Sequence, residues 1–242
     1  MKWKGISVVT ARFGNRNMQL VLVSAIIRNL LLVGTALFTY YVLFVLKADP
    51  VGLGVTFFAG YFSSAICSLI GGFLGDMLGR KTLVVSGFFI YALGWLSFVW
   101  VTNVWEVCIL YGIVMGAVSG LYPAYAALIS DIVHGEKVGG ALGLVNTVTS
   151  LFGAMGVLIA GYVATAFGYC ILFVLIFVMT LVSLAPLLIL HVDETGEKQH
   201  PPSALTFLDL LMRNRNLLLI CSAVFIITLG TFASLFYPDY VK

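Results

Sequence analysis

A short charged turn between two long apolar stretches constrains this chain more than any other feature. The turn covers residues 72–83. Asp76 ends the first stretch, and Arg80 and Lys81 open the second, so three charges fall within six residues. Charges this dense are excluded from hydrocarbon, whereas each flanking stretch is long enough to cross a bilayer. The segment therefore predicts a tight helical hairpin whose turn lies on one membrane face.

Composition extends this interpretation to the whole chain. Of its 242 residues, 61% are hydrophobic and only 10% are charged, whereas a soluble domain has about 25% charged residues. The apolar runs are continuous rather than alternating, which favours membrane-spanning helices. We therefore predict an all-α polytopic membrane protein with seven spans. The runs cover residues 19–46, 51–74, 83–100, 105–129, 139–164, 169–190 and 217–237.

The distribution of Lys and Arg predicts the orientation. Ten of the 13 basic residues fall on one side of the spans, while Lys47 and Lys242 fall on the other and Arg28 lies inside the first span. Because basic residues collect on the cytoplasmic side, we predict an integral protein of the cell membrane with a cytoplasmic N-terminus. The bias also explains the net charge of +3, so the bilayer is the expected partner and no nucleic acid is indicated. The ten are Lys2, Lys4, Arg12, Arg16, Arg80, Lys81, Lys137, Lys198, Arg213 and Arg215.

Residues 72–83 also carry a specific pattern of glycines and charges. They resemble the signature loop between the second and third transmembrane helices of the major facilitator superfamily, roughly Gly-x-Leu-(Ala/Gly)-Asp-(Arg/Lys)-x-Gly-Arg-(Arg/Lys)-x-x-Leu. Met77 departs, since the family usually has a basic residue there. An ordinary hairpin with basic residues on the cytoplasmic face is the alternative. The matching positions are Gly72, Leu74, Gly75, Asp76, Gly79, Arg80, Lys81 and Leu83.

The resemblance implies a domain organisation. The family has two six-helix halves joined by a long cytoplasmic linker. We therefore assign residues 1–190 to the N-terminal bundle, 191–216 to the linker and 217–242 to a seventh helix. Because the family normally has twelve helices, the chain resembles a truncated or split form. One bundle cannot alternate access around a central site, so we expect transport only if the chain assembles with a second half or a second copy.

The resemblance also implies a cytoplasmic gate. In the family, the Asp of the loop contacts a helix of the other half, and the Arg joins a charge relay with an acid after helix four. By position that acid is Asp131. The alternative is that these charges only set the topology. The gating set is Gly72, Asp76, Gly79, Arg80, Lys81 and Asp131.

Arg28 is the most specific candidate for a residue that contacts the solute. It lies about nine residues into the first span, where an Arg is costly unless it faces protein, water or a counter-charge. On a continuous helix, Ser24, Arg28, Thr35 and Thr39 share a face, and Asn29 flanks Arg28. Since helix one lines the central cavity in the family, we expect Arg28 to bind an anionic group of the solute or a coupling carboxylate. The alternatives are snorkelling to the interface and a helix-packing hydrogen bond.

Six further polar residues are candidates for the cavity wall. They are Tyr61 and Ser64 in the second span, Tyr122 and Tyr125 around Pro123 in the fourth, and Asn146 and Ser150 in the fifth. Helix packing is the alternative for each of them, because hydroxyl groups in membrane helices commonly bond to backbone.

The remaining features narrow the function class. Gly112 stands where the family often has Arg, and Val157 stands where its antiporter motif has Pro, which weakens a drug–proton antiporter assignment. His134, His191 and His200 are far apart and lack the spacing of metal ligands. We therefore predict a secondary transporter of a small solute, and neither an enzyme nor a protein with a metal or cofactor. A seven-helix receptor or sensor is the alternative.

Overall fold

The computed structural model of the protein describes residues 16–133 and 138–191. Within these ranges every regular element is helical. Five helices are long and apolar enough to cross a membrane, which confirms the predicted class of all-α polytopic membrane protein. The chain divides into units at residues 1–198 and 199–242, and all described residues belong to the first. The predicted span at 217–237 and the linker beyond residue 191 lie outside the described residues.

The second to sixth predicted spans each correspond to one long helix. In chain order the elements are α1 (Arg16–Asn29), α2 (Thr35–Tyr40) with a π-helical turn (Tyr41–Val45), α3 (Pro50–Leu78), α4 (Arg80–Ser97) with a 3₁₀ turn (Phe98–Trp100), α5 (Val104–Val133), α6 (Val138–Phe167) and α7 (Tyr169–Ile189).

The helix ends follow from local chemistry. The Asp49 carboxylate accepts a hydrogen bond from the Gly52 N–H at 2.9 Å, and Pro50 occupies the first position of α3, so both residues favour a helix start there. Gly79 and Gly168 have φ angles of 90° and 86°, which glycine adopts readily. Each is the single residue between two long helices. The predicted charged hairpin is therefore a one-residue turn.

The first span differs from its prediction. The sequence predicts one continuous helix over 19–46, but α1 ends at Asn29 and α2 begins at Thr35. Gly34 is extended, with φ −68° and ψ 159°, and the Asn29 side chain donates to the Ala25 carbonyl at 2.8 Å. Such local bonds compete with the helical ladder, and glycine adds little helix propensity. The expected single face of Ser24, Arg28, Thr35 and Thr39 is therefore interrupted.

Glycines bring α3 and α5 into close contact. A Cβ atom on Gly71 would overlap the carbonyl oxygen of Gly120, and one on Gly116 would overlap the Ser63 hydroxyl. A Cβ on Gly120 would lie 3.0 Å from the Cys67 carbonyl oxygen. Small residues at such positions let two backbones approach, which is how membrane helices gain packing energy. We call this contact the α3–α5 seam.

The hydrophobic core changes character along the bundle. The part near Gly168 is aromatic and centres on Phe38, whose ring stacks on Tyr111 with centroids 4.4 Å apart. The other members of this cluster are Tyr41, Phe57, Trp95, Phe98, Tyr169 and Phe173. A second buried cluster, mostly aliphatic, includes Met18, Val84, Leu128, Ile132, Leu187 and Leu190. Phe88 also belongs to this second cluster, and Arg28 lies against its ring at the cavity described next.

Candidate functional site

A cavity of about 320 Å³ lies between α1, α4, α5 and α6. Its polar lining residues are Arg28, Asn29, Asn146 and Thr149, and its aromatic ones are Phe88, Tyr91, Tyr122 and Tyr125. Aliphatic side chains such as Leu142 and Val145 complete the wall. A mainly apolar wall with a few polar groups is typical of small-molecule sites, and the volume lies at the lower end of their range.

Arg28 contributes the one charge among the lining residues. Its guanidinium carbon lies 3.9 Å from the centroid of the Phe88 ring and 5.7 Å from that of Tyr125, so the cation rests against aromatic faces. Its Nη1 atom is buried and has no hydrogen-bond partner. The Tyr125 hydroxyl is also buried and interacts with the Arg28 side chain, and Tyr125 is only 6% exposed. The Arg28 Nη1 donor therefore stands unused at the cavity wall, beside the Tyr125 hydroxyl.

The break in the first span helps to place this cation. Arg28 lies in the last turn of α1, where the helix dipole presents its negative end. A Cβ on Gly156 of α6 would overlap the Asn29 carbonyl, so the end of α1 rests directly on α6. A continuous helix would not end at this level. The interruption thus puts a helix C-terminus, and a favourable local field for Arg28, beside the cavity.

Five of the eleven residues predicted to line a cavity do so. They are Arg28, Asn29, Tyr122, Tyr125 and Asn146. The Tyr122 hydroxyl and the Asn146 Oδ1 atom are 3.5 Å apart, and both residues are exposed, which places them at the cavity opening.

The other six predicted residues lie away from this cavity. Ser24 is fully buried. The Ser64 hydroxyl donates to the Met115 carbonyl across the α3–α5 seam at 3.2 Å, which is a packing role. Tyr61 packs beside Phe57, with ring centroids 6.5 Å apart. Thr35, Thr39 and Ser150 are exposed or half-buried and do not line the cavity.

Sequence reasoning missed the α4 contribution. Phe88 and Tyr91 lie three residues apart, and both line the cavity. Their spacing puts them on one helix face, a signal that the sequence does contain. What it lacks is the information that this face of α4 meets Arg28. Aromatic residues in an apolar span otherwise give no reason to separate a lining role from core packing.

The predicted gating residues form a charged cluster at the Gly79 end. The Arg80 Nη1 atom donates to the Asp131 Oδ1 atom at 2.6 Å, and Arg80 Nη2 lies 3.9 Å from Asp76 Oδ1. These side chains are between 28% and 43% exposed. The arrangement links the start of α4 to the end of α5. A Cβ on Gly72 would meet open space, so the bundle leaves this face of α3 uncovered.

Lys81 has a different partner from Arg80. Its Nζ atom donates to the carbonyl oxygens of Leu188 and Leu190 at 2.8 and 2.6 Å. The Asn17 side chain donates to the next carbonyl, that of His191, at 2.6 Å. Lys81 therefore caps the C-terminus of α7, where cations are favourable. Two neighbouring basic residues of the signature loop thus hold two different helices.

The described residues contain no group of three or more His, Cys, Asp or Glu side chains placed to hold a metal ion.

The family model of the Major Facilitator Superfamily matches residues 8–241. The chain belongs to the Major Facilitator Superfamily. The predicted family is therefore confirmed, and so is the location in a membrane as an integral protein.

Relatives within the superfamily are similar over part of their length. The chain is 30% identical to the multi-drug resistance efflux pump PmrA of Streptococcus pneumoniae over 137 residues, which cover 53% of this chain and 34% of PmrA. It is 32% identical to the multidrug resistance protein MdtG of Dickeya zeae over 115 residues, covering 48% of this chain and 28% of MdtG. The chain thus matches about a third of each relative's length.

Solved structures share the fold. The crystal structure of tetrameric PepTSo2 in the I4 space group superposes with a TM-score of 0.63 at 20% identity, covering 92% of this chain and 49% of PepTSo2. A bacterial homologue of the human drug peptide transporters PepT1 and PepT2 gives a TM-score of 0.64 at 18% identity, covering 92% and 56%. At these identities the likeness concerns the fold alone.

Proposed function

We propose that this chain forms one side of the solute pathway of a secondary transporter that works by alternating access, and that it is not an enzyme. The observation that carries the proposal is the cavity between α1, α4, α5 and α6, which holds a cation at its wall. In superfamily proteins, two bundles rock around a central site. We further propose that the protein lies in the cell membrane with its N-terminus in the cytoplasm, as the basic residues predict.

Alternating access requires a second bundle. The solved relatives are about twice as long as the part that this chain matches. We propose that transport needs a second bundle, supplied by further sequence, by a separate chain or by a second copy. Residues 191–216 would then be the linker between halves, and 217–242 would begin the second half. One bundle alone would bind solute without moving it.

The solute proposal follows from Arg28. A guanidinium with an unpartnered Nη1 atom favours a solute with an anionic group. PmrA and MdtG are named as multidrug proteins, which supports a small organic solute rather than an inorganic ion. The described spans place no carboxylate among the cavity residues. The wall of this half therefore offers a binding charge but no carboxylate to carry protons.

The charged cluster is proposed as the cytoplasmic gate. Arg80 bridges Asp131 on α5 and Asp76 on α3, so it connects helices that must move as one body. Asp76 is the most exposed of the three side chains, at 43%. It is therefore the group available to a second bundle. Forming and breaking such a contact would shift the balance between inward-open and outward-open states.

The test of alternating access does not depend on knowing the solute. Cys67, Cys108, Cys170 and Cys221 are replaced by Ala, and Thr149→Cys introduces one thiol at the cavity wall. A membrane-impermeant maleimide is applied to vesicles of either orientation. With a second bundle present, we expect labelling from both sides, because one bundle alone cannot alternate access. Thr56→Cys is the control, because Thr56 is fully buried and its thiol should react from neither side.

With a second bundle present, labelling of Thr149→Cys from one side only would contradict the proposal. The labelling rates in the same vesicles also test the proposed cytoplasmic gate. Asp131→Asn should shift the ratio of the two labelling rates, since Arg80 loses its 2.6 Å partner. An unchanged ratio would leave the charged cluster with a purely structural role.

A further inference from the structure

The charge balance of the cavity is incomplete. Arg28 carries a guanidinium cation, and its Nη1 atom is buried without an acceptor among the described residues. The other polar lining residues, Asn29, Asn146 and Thr149, carry no charge. Buried charges in proteins are normally paired, because an unpaired one is strongly destabilising. Among the described lining residues, Arg28 therefore has no negatively charged partner.

The geometry of Arg28 restricts how an anion can approach. Phe88 covers one face of the guanidinium at 3.9 Å, so a partner must meet the edge, where the N–H groups point. Edge-on donors of a guanidinium match the two oxygens of a carboxylate or sulfonate. The Tyr125 hydroxyl lies beside the Arg28 side chain on the same wall, and its O–H can donate to the same anion. The Arg28 edge and the Tyr125 hydroxyl can therefore bind one acid group together.

The rest of the wall is suited to a flat apolar body. Phe88 and Tyr125 are engaged with Arg28 and with each other, their ring centroids being 6.1 Å apart in an edge-to-face arrangement. Tyr122 is different, because it is 59% exposed at the opening and its ring is available. Leu142 and Val145 lie on the facing helix. An aromatic ring can stack on Tyr122 while it covers these aliphatic side chains.

We infer that the solute class of this cavity is a small aromatic anion, an arene of one or two rings bearing one carboxylate or sulfonate. The acid group binds Arg28 and Tyr125, and the ring packs against Tyr122. The inference rests on the proposed function, since it takes this cavity to be the solute pathway. It goes further by naming the charge, the ring and the residue that contacts each part.

Three size-matched probes test the charge. They are 2-naphthoate, 2-naphthylmethanol and 2-naphthylmethylammonium, measured by equilibrium dialysis against the full chain in lipid nanodiscs, with empty nanodiscs subtracted. We expect naphthoate to bind at least about tenfold more tightly than the other two. Arg28→Gln should remove this preference. Arg28→Lys should keep part of it, because lysine retains the positive charge but lacks the paired N–H donors of the guanidinium. Thermal unfolding of each variant shows that it is folded.

A saturated analogue tests whether binding requires an aromatic ring in the solute. Decahydro-2-naphthoate keeps the acid group and the size but has no aromatic face. We expect it to bind more weakly than 2-naphthoate, and Tyr122→Leu should weaken naphthoate while leaving the saturated acid unchanged. Equal binding of the two acids would overturn the aromatic part of the inference. Equal binding of acid and ammonium by the unaltered chain would overturn the charge part without any variant.

The two proposals fail separately. Labelling of Thr149→Cys from both sides with no preference for naphthoate would overturn the solute class and leave alternating access in place. Naphthoate binding that depends on Arg28, together with labelling from one side only, would keep the site and remove the transport proposal.

Discussion

The two faces of α5 differ in how they meet their neighbours. One face carries Gly116 and Gly120, and packs against α3 so closely that added Cβ atoms would overlap. The other carries Tyr122 and Tyr125, and stands away from α1 and α6 across a cavity of about 320 Å³. The sealed face fixes the position of α5. It thereby allows the open face to hold polar side chains in place without filling the space between the helices.

The two ends of this region also differ in how their arginine side chains are paired. At the Gly79 end of α5, Arg80 is paired with Asp131 of the same chain. Beside the open face, Arg28 contacts aromatic rings, and no carboxylate is among the described residues that line the cavity. A buried cation is expensive to leave unpaired in a membrane protein. A chain that pairs one arginine and leaves another open is arranged to bind a partner at the second.

The largest expected effect comes from breaking the sealed face. Gly71→Ala places a methyl group against the Gly120 backbone carbonyl, which cannot rotate away, so we expect destabilisation of about 3 kcal/mol or more. Gly72→Ala is the matched control, because a Cβ there meets open space. Thermal unfolding in nanodiscs compares the two variants. Equal stability of both would show that α3 and α5 are not in close contact.

A substitution on the cavity side alone should change solute affinity and have a smaller free-energy effect. Asn146→Asp adds a carboxylate of nearly the same shape at the cavity opening, and so offsets the charge of Arg28. We expect the affinity for 2-naphthoate to fall about tenfold, with little change in stability. Asn146→Gln keeps the site neutral and serves as the control. If naphthoate bound Asn146→Asp as well as the unaltered chain, Arg28 would not be the anion-binding group.

The ion pair of Arg80 and Asp131, at the end of α5, should contribute less to stability. Asp131→Asn removes the charged acceptor of Arg80, and we expect a loss of about 1 kcal/mol, the low end for a charged hydrogen bond because both side chains are about a third exposed. The double variant Arg80→Gln/Asp131→Asn should recover part of the loss. Chemical or thermal unfolding measures the double variant and the two single variants, Arg80→Gln and Asp131→Asn. Additive losses in the double variant would show that the two residues are not coupled.

The smallest effect is expected away from both faces of α5. Lys81→Gln weakens the capping of Leu188 and Leu190, which we expect to destabilise the end of α7 by about 0.5–1 kcal/mol. Faster hydrogen exchange near residues 188–191 is the measurement. Lys81→Arg should restore protection, since it keeps a cation there. A change confined to the charged cluster at Asp131 would instead place Lys81 with Arg80.

Much of the fold is readable from the sequence, because each long span is specified locally. The apolar runs gave five of the described helices, and the order of Asp76, Gly79 and Arg80 gave the hairpin. The pairing of Arg80 with Asp131 could be anticipated from the family resemblance. In each case the signal lies within one segment or at a fixed motif position.

The remaining features depend on contacts between segments. The break after Asn29 reflects packing on Gly156 as well as the local effect of Gly34. The bond from Lys81 to the end of α7 joins residues more than 100 positions apart. Phe88 became a cavity residue only through its position against Arg28. No periodicity in one helix specifies which neighbour its face will meet.

The proposed binding of an aromatic anion depends on the open guanidinium edge of Arg28. The most direct test is a structure of the protein with 6-bromo-2-naphthoate, in which anomalous scattering locates the bromine. We expect the carboxylate within hydrogen-bond distance of the Arg28 guanidinium and the Tyr125 hydroxyl, with the rings against Tyr122. A carboxylate bound elsewhere, or an Arg28 guanidinium paired with a carboxylate of the protein itself, would contradict it.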